Sequence, residues 1–133
     1  MYLVDTNVWL ERLLDQERSE DVRRFLAATA SERLFITDFT LHSIGVVLIR
    51  LNKMEGLLRF VRDAFLDGAV ALIHLEPGDT EYIVRVAERF NLDFDDAYQY
   101  TAAEKYDLTL VSFDSDFDHT ERGRKTPAEV LQG

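Results

Sequence analysis

The chain has 133 residues, 47% of them apolar and 30% charged, which is typical of a soluble globular protein with a hydrophobic core. We predict a single domain over residues 1–133. The chain has no cysteine, so disulfides, zinc–thiolate sites and thiol nucleophiles are excluded. It has neither a recognisable signal peptide nor an apolar run of the roughly 20 residues that span a bilayer. We therefore expect a cytoplasmic protein that has no membrane partner.

The net charge is −10, from 25 acidic and 15 basic residues. A charge of this sign repels nucleic acid at long range and disfavours nonspecific binding to phosphates. It does not exclude a nuclease, because clustered carboxylates account for part of the excess and a bound metal would neutralise them. The simpler interpretation is that the acidity keeps the protein soluble.

The first half of the chain alternates apolar runs with segments of helical spacing. In chain order the predicted elements are a strand over Tyr2–Asp5, a short helix, a helix with an N-cap at Ser19, a strand over Leu34–Thr37, a helix from Thr37-Asp38 to about Asn52-Lys53 and, after a break at Gly56, a helix that ends at Asp67-Gly68.

The second half continues this alternation. Its predicted elements are a strand over Ala69–Ile73, a turn at Pro77-Gly78, a helix from Asp79 or Thr80, a helix from Asp93 to about Tyr106, a strand over Thr109–Ser112 and a weakly helical tail around Ala128–Leu131. Short apolar strands that alternate with helices predict the α/β class, with three α/β/α layers and a mainly parallel central sheet.

Several acidic residues follow the predicted strands or begin a predicted helix. Because the carboxyl ends of parallel strands lie at one edge of a sheet, most of these carboxylates are expected to converge there. Gathered carboxylates repel one another, and a hard cation between them relieves the repulsion. The set consists of Asp5 after the first strand, Asp38 after the second, Asp95 and Asp96 in the first turn of the penultimate helix, and Asp114 and Asp116 after the fourth strand.

Oxygen ligands without histidine or cysteine favour Mg²⁺ or Mn²⁺ over zinc. Such ions activate water and neutralise charge on a phosphodiester, so the predicted chemistry is phosphoryl transfer. Each acid also has a purely structural interpretation: Asp5 caps the following helix, Asp93 and Asp96 form a capping box, and Asp114-Ser115-Asp116 is a polar turn. The joint placement of the acids at one sheet edge favours the metal site.

Three motifs occur in a fixed order along the chain. They are Leu3-Val4-Asp5-Thr6-Asn7, Leu92-Asp93-Phe94-Asp95-Asp96-Ala97 and Val111-Ser112-Phe113-Asp114-Ser115-Asp116-Phe117. In this order and at this spacing they resemble the PIN domain family, and in particular the single-domain VapC-like toxins of toxin–antitoxin pairs. The resemblance implies an endoribonuclease that uses Mg²⁺ or Mn²⁺ to hydrolyse RNA phosphodiesters, is often a homodimer and is often inhibited by an antitoxin protein.

Matched position by position, the resemblance makes Asp5, Asp96 and Asp114 the catalytic acids and the principal metal ligands. Asp116 matches a frequent additional ligand. The residues that it places in supporting positions, or directly beside a matched acid, are Asn7, Ser112 and Asp95.

One position departs from the family pattern. The family usually has a glutamate in the helix after the second strand, and this chain has Ser43 there. No glutamate occurs between Glu32 and Glu55, and Asp38 or His42 would have to compensate. The alternative prediction is therefore a degenerate PIN-like domain that binds RNA or a protein partner without cleavage.

The only dense basic cluster is Arg122-Gly123-Arg124-Lys125, which follows the last acidic motif. We predict that Arg122, Arg124 and Lys125 contact RNA phosphates, with an ordinary surface loop as the alternative. An EF-hand that begins at Asp114 is excluded, because His119 takes its glycine position and Lys125 its final glutamate position.

Overall fold

The computed structural model describes residues 1–133 and contains one sheet of four parallel strands. In chain order these are β1 (Tyr2–Val4), β2 (Leu34–Thr37), β3 (Ala71–Ile73) and β4 (Thr109–Val111). Their order across the sheet is β3-β2-β1-β4, and Tyr2 pairs with Leu34 on one side and with Thr109 on the other. The four predicted strands are confirmed, and each is at most two residues shorter than predicted.

Seven α-helices surround the sheet. They are α1 (Thr6–Leu13), α2 (Ser19–Ala28), α3 (Asp38–Arg50), α4 (Met54–Val61), α5 (Thr80–Phe90), α6 (Phe94–Lys105) and α7 (Pro127–Gln132). A π-helical segment, Arg62–Leu66, extends α4, and short 3₁₀ turns cover Ser31–Arg33, Pro77–Asp79 and Ser115–His119.

The sheet separates two apolar cores. Successive residues of a strand point to opposite faces, and accordingly the neighbours Leu3 and Val4 of β1 belong to different clusters of buried residues. Val4 packs with residues of α1 to α4, whereas Leu3 packs with residues of α5 and α6. This arrangement is the predicted three-layer α/β/α fold.

Four helices are followed by an aspartate or asparagine in the left-handed region. Asp15, Asn52, Asn91 and Asp107 have φ between 50° and 60°, a conformation that these two residue types tolerate better than most. The predicted break at Gly56 is therefore wrong. Asn52 makes the turn between α3 and α4, and Gly56 lies inside α4.

The predicted N-cap at Ser19 is also wrong. Arg18 occupies the cap position of α2, and no side chain caps that end. The Ser19 hydroxyl is buried and accepts a hydrogen bond from the Arg12 guanidinium at 3.0 Å. The amide of Arg18 donates instead to the Glu11 carboxylate at 2.6 Å, which links the start of α2 to α1.

No helix in the structure combines the length and the hydrophobicity that a bilayer span requires.

Three helix N-termini lie at the carboxyl edge of the sheet: α1 and α3 directly follow β1 and β2, whereas α6 follows α5. Each of these helices begins with a side-chain cap, which satisfies an amide that has no partner within the helix. Asp5 accepts from the Thr6 amide at α1 (2.9 Å), Thr37 from the Thr40 amide at α3 (3.1 Å) and Asp93 from the Asp96 amide at α6 (2.8 Å). These caps hold the residues of the candidate site in place.

Candidate active site

Three of the predicted acids meet at this edge. Asp96, Asp114 and Asp116 each offer a carboxylate oxygen, and these oxygens lie within 4.8 Å of one another. Asp96 comes from the first turn of α6, whereas the other two come from the loop after β4. We call them the three-acid cluster. The capping-box alternative for Asp96 is wrong: Asp93 caps the helix, but the Asp96 side chain does not bond back to the Asp93 amide.

Asp5 lies beside the cluster and is almost completely buried, with 6% of its surface exposed. Its Oδ1 accepts from the Thr6 amide and from Gln99 Nε2, both at 2.9 Å. Its Oδ2 accepts from Ser112 Oγ at 2.7 Å. Burial raises the pKa of Asp5 above its ordinary value, and the nearby charge of Asp114 raises it further, while these hydrogen bonds act in the opposite direction.

The acids repel one another. Burial is the largest cause that raises the pKa of Asp96, from an ordinary 3.8 to about 8, and the negative charges of Asp114, Asp93 and Asp5 add to the effect. A hydrogen bond between Asp96 and Asp114 contributes in the same direction. An all-oxygen donor set with this excess of negative charge fits a hard divalent cation.

A buried amide that was not predicted from the sequence connects Asp5 to the rest of the site. Gln99 is 1% exposed, donates from Nε2 to Asp5 Oδ1 and Thr40 Oγ1, both at 2.9 Å, and accepts at Oε1 from Thr37 Oγ1 at 2.7 Å. The Thr40 hydroxyl also bonds Thr6 Oγ1 at 2.9 Å. A polar residue three positions after Asp96, and therefore on the same face of α6, was the available signal.

The structure places Asn7 and Ser112 between Asp5 and the loop after β4. Ser112 Oγ donates to Asp5 and accepts from the Asp114 amide at 3.0 Å. Asn7 donates from Nδ2 to Ser112 Oγ at 3.3 Å and accepts at Oδ1 from the Phe113 amide at 3.1 Å. Both residues therefore fix the backbone on which Asp114 is carried.

Three positions singled out in the sequence do not join the three-acid cluster. Asp38 is exposed and accepts from the Tyr98 hydroxyl at 2.8 Å. Asp95 is exposed, and its side chain makes no hydrogen bond or ion pair. Ser43 is half-buried, and its hydroxyl makes no hydrogen bond either.

The basic segment is held against the sheet. Lys125 forms a parallel bridge with Val111, and its amide donates to the Leu110 carbonyl at 2.9 Å. The Arg124 guanidinium donates to both Asp118 oxygens, at 2.9 and 3.1 Å, and to the Ser112 carbonyl at 3.1 Å. Arg124 thus joins β4 to the turn that follows the acidic motif.

The side chains of the basic segment differ in whether they already have a partner within the chain. Arg122 donates to Asp107 and to the Leu108 carbonyl, both at 3.2 Å. Lys125 is exposed, and its ammonium group makes no ion pair or hydrogen bond. The expected contact of the segment with RNA remains a prediction, for which Lys125 offers the free charge.

The sequence profile of the PIN domain matches residues 2–123. The chain belongs to the PIN domain family. The predicted resemblance is thereby confirmed, and with it the coarser part of the functional prediction, since PIN domains are nucleases that usually use divalent metals.

Solved structures share this PIN fold at low sequence identity. A toxin–antitoxin complex from Klebsiella pneumoniae contains a chain with a TM-score of 0.77 and 19% identity, with 97% of this chain and 99% of that chain covered. VapC20 of Mycobacterium tuberculosis, a toxin that cleaves the sarcin–ricin loop, has a TM-score of 0.77 and 18% identity, with 92% of this chain and 96% of that chain covered. FitAcB from Neisseria gonorrhoeae has a TM-score of 0.72 and 22% identity, with 96% of this chain and 98% of that chain covered. No curated protein sequence matches the chain.

We expect Gln99→Leu to weaken Mn²⁺ binding by about 10- to 100-fold, because Asp5 loses a donor that orients it. Isothermal titration calorimetry on the folded variant measures the dissociation constant. Thr101→Val on the same helix is the matched control, since the Thr101 hydroxyl is buried without a partner and should bind Mn²⁺ as the wild type does. Equal affinities of Gln99→Leu and wild type would contradict a positioning role for Gln99.

We expect Arg124→Lys to weaken Mn²⁺ binding by about tenfold, because the ammonium keeps the charge but cannot form the two-pronged bond with Asp118. Arg124→Met also removes the positive charge, and so separates the effect of the charge from the effect of the two-pronged bond with Asp118. If Arg124 acted through its charge alone, Arg124→Lys would be neutral and Arg124→Met would bind the cation more tightly. Arg122→Lys is the control, because its partners Asp107 and Leu108 lie outside the loop that carries the acids.

The raised pKa of Asp96 makes the stability of the metal-free protein depend on pH. The folded state binds the carboxyl proton of Asp96 more tightly than the unfolded chain does. The contribution of this proton to the free energy of unfolding is therefore complete below a pH of about 3.8 and is lost as pH rises through about 8. In EDTA, Asp96→Asn should melt at a higher temperature than wild type above pH 8, and the difference should shrink at lower pH. A difference that does not change with pH would contradict the raised pKa of Asp96.

Proposed function

We propose that this PIN domain is a metal-dependent endoribonuclease of the VapC-like toxin type, which hydrolyses RNA phosphodiesters at the three-acid cluster. The observation that carries the proposal is the convergence of Asp96, Asp114 and Asp116 within 4.8 Å, next to the buried carboxylate of Asp5. A hydrogen bond between Asp96 and Asp114 relieves part of the repulsion among these acids, and a bound cation would relieve the rest.

The residues of the chain have distinct tasks in this proposal. Asp5, Asp96, Asp114 and Asp116 would hold Mg²⁺ or Mn²⁺, which when bound supplies a water of lowered pKa and neutralises charge on the phosphodiester. Asp5 retains a lone pair on Oδ2 for this purpose, because Oδ2 accepts only from Ser112. Burial and the neighbouring negative charges raise the pKa of Asp96, and cation binding would favour loss of its proton.

The comparisons support the choice of RNA and of a partner protein. VapC20 is described as a toxin that cleaves the sarcin–ricin loop, and the chain from Klebsiella pneumoniae belongs to a toxin–antitoxin complex. We infer an RNA substrate, an antitoxin partner, a homodimer and a cytoplasmic location for this chain. These inferences follow the family resemblance rather than any contact within the chain.

A second candidate function is supported by Ser43. The family usually places a glutamate there, and without it the site has four carboxylates, one of which already accepts three hydrogen bonds. A site with less negative charge binds a cation more weakly. The corresponding function is a PIN domain that binds RNA or a protein partner without cutting it.

Cleavage of a structured RNA in the presence of Mn²⁺ tests the proposal. We expect wild type to cut and Asp114→Asn to lose at least about 100-fold in rate, because a metal ligand is gone while the fold is kept. Asp95→Asn is the matched control: it removes a nearby exposed charge that bonds to nothing, and should cut as wild type does.

The result also decides between the two functions. If wild type fails to cut even at millimolar Mn²⁺, the non-cleaving function is favoured. Ser43→Glu should then restore cleavage if the missing carboxylate is the cause. Failure of this variant as well would contradict the endoribonuclease proposal.

A further inference from the structure

An arginine at the start of α2 lies against the loop that carries two of the acids. The guanidinium carbon of Arg18 lies over the ring of Phe113, 3.7 Å from the ring centroid. Phe113 directly precedes Asp114, a member of the three-acid cluster. The guanidinium therefore contacts the residue next to an acid of the cluster.

Both residues of this contact are held by hydrogen bonds of their backbone amides. The Arg18 amide donates to the carboxylate of Glu11 at 2.6 Å, and Glu11 is 8% exposed. The Phe113 amide donates to Asn7 Oδ1 at 3.1 Å. Attraction between the cation and the ring keeps the guanidinium over Phe113. A ligand that bound this guanidinium would therefore have little to order.

The donors of the Arg18 guanidinium have no hydrogen-bond partner within the chain, and the side chain is 50% exposed. The only carboxylate within ion-pair distance is that of Glu11, whose Oε2 lies 3.9 Å from Arg18 Nε, too far for a hydrogen bond. The same oxygen already accepts the Arg18 amide. The Phe113 ring covers a face of the guanidinium and leaves the N–H groups at its edge free. Packing thus explains the position of Arg18 but not its unused donors.

The acidic loop lies between Arg18 and α6. Phe113 packs against the core on the side of α1 to α4, whereas α6, which carries Asp96, packs against the core on the other face of the sheet. Arg18 therefore lies on the α2 side of the loop. A strand bound at the acids and continuing toward α2 would pass this guanidinium.

The free edge of the Arg18 guanidinium suits a phosphate. The planar fork of arginine donates to two phosphate oxygens at once. Every nucleotide of RNA carries a phosphate, so a strand with one phosphate at the acids has another phosphate one nucleotide away on each side. A carboxylate of a partner protein could use the same donors, but nothing about the acids would bring such a group to this place.

We propose that Arg18 binds a phosphate of the RNA strand adjacent to the scissile phosphate, on the α2 side of the acidic loop. The inference rests on the proposed function. It gives Arg18 a role in binding the strand and in placing it across the acids, and no role in the chemical step. Because the contact goes to the backbone, it carries no base preference.

Steady-state cleavage of an oligoribonucleotide in Mn²⁺ tests this role. Arg18→Met keeps an apolar side chain over the Phe113 ring but has neither charge nor donor. We expect its KM to rise about tenfold with kcat unchanged, because a charge-assisted hydrogen bond is lost from the ground state and the transition state alike. Arg85→Met is the matched control: Arg85 is 69% exposed on α5 and pairs with Glu81, so this variant should cut as wild type does.

A neutral phosphate in the substrate identifies the contact directly. One phosphate at a time, next to the cut, is replaced by an uncharged methylphosphonate. At one position this replacement should raise the KM of wild type but hardly that of Arg18→Met, because the contact is already absent in the variant. Effects of the two changes that multiply at every position would show that they are independent, and would overturn the inference.

The remaining outcomes separate this inference from a structural role of Arg18. Isothermal titration calorimetry should give the same Mn²⁺ affinity for wild type and Arg18→Met. Weaker Mn²⁺ binding with a lower kcat would mean that Arg18 only positions the acidic loop, which overturns the inference. An unchanged KM would also overturn it and would leave the donors to another ligand, such as an acidic side chain of a partner protein.

Failure of the proposed function gives a different result. If wild type does not cut, the same proteins and oligonucleotides are compared by fluorescence anisotropy, and the dissociation constant replaces KM. Loss of affinity in Arg18→Met and at one methylphosphonate position, without further loss when both are combined, would still support the contact. If wild type does not bind RNA at all, the inference and the proposed function both fail.

Discussion

The buried carboxylate of Asp5 is the constraint on which the rest of the site depends. A carboxylate removed from water is costly unless hydrogen bonds replace its hydration. Here the replacements come from the Thr6 amide at the start of α1, from Gln99 on α6 and from Ser112 after β4. One side chain therefore ties three elements to the central strand, and each of these elements contributes to the position of another acid.

The network around Asp5 also distributes charge unevenly. Asp5 is supported by three donors, whereas Asp96 has lost much of its hydration and faces the charges of Asp114, Asp93 and Asp5 without comparable donors. If Asp5 were neutral, the groups that donate to it would lose their charged acceptor. If Asp96 were neutral, its repulsion with the neighbouring acids would be relieved. The strain that a cation would remove is therefore concentrated at Asp96, at the side of the cluster nearest to α6.

The hydrogen-bond network around Asp5 bears on the presence of Ser43 where the family usually has a glutamate. Gln99 bonds Asp5, Thr37 and Thr40 at once, and so links β2, α3 and α6 by neutral contacts behind the acids. The hydroxyl of Ser43 takes no part in it. The interior beside Asp5 is thus satisfied without an additional carboxylate, and in the proposed function the strength of cation binding would depend on Asp5, Asp96, Asp114 and Asp116.

The sequence predicted what depends on local pattern. The four strands, the α/β class and the convergence of Asp96, Asp114 and Asp116 follow from apolar periodicity and from the parallel sheet. What depends on distant partners was missed. Gln99 lies 62 residues from Thr37 and 94 from Asp5, and nothing in its neighbourhood marks it as more than a polar residue on a helix.

Two further errors have local causes. Gly56 was predicted as a break between two helices, yet Asn52 adopts the positive φ at this turn and Gly56 is helical. Ser19 has the composition of an N-cap, but its hydroxyl turns inward to Arg12. Residue preferences identify the kind of position that is needed, and tertiary contacts decide which of several suitable residues occupies it.

The charge of the chain limits how it can hold RNA. With a net charge of −10, and with Arg122 and Arg124 bonded within the chain, the basic segment that follows the acidic motif offers only Lys125 as a free cation. Phosphate contacts gain affinity because lysine and arginine side chains release counterions from the nucleic acid, and one free cation in this segment provides little of that gain. A cation bound at the acids would not share this limitation, because it would supply positive charge only where the phosphodiester lies.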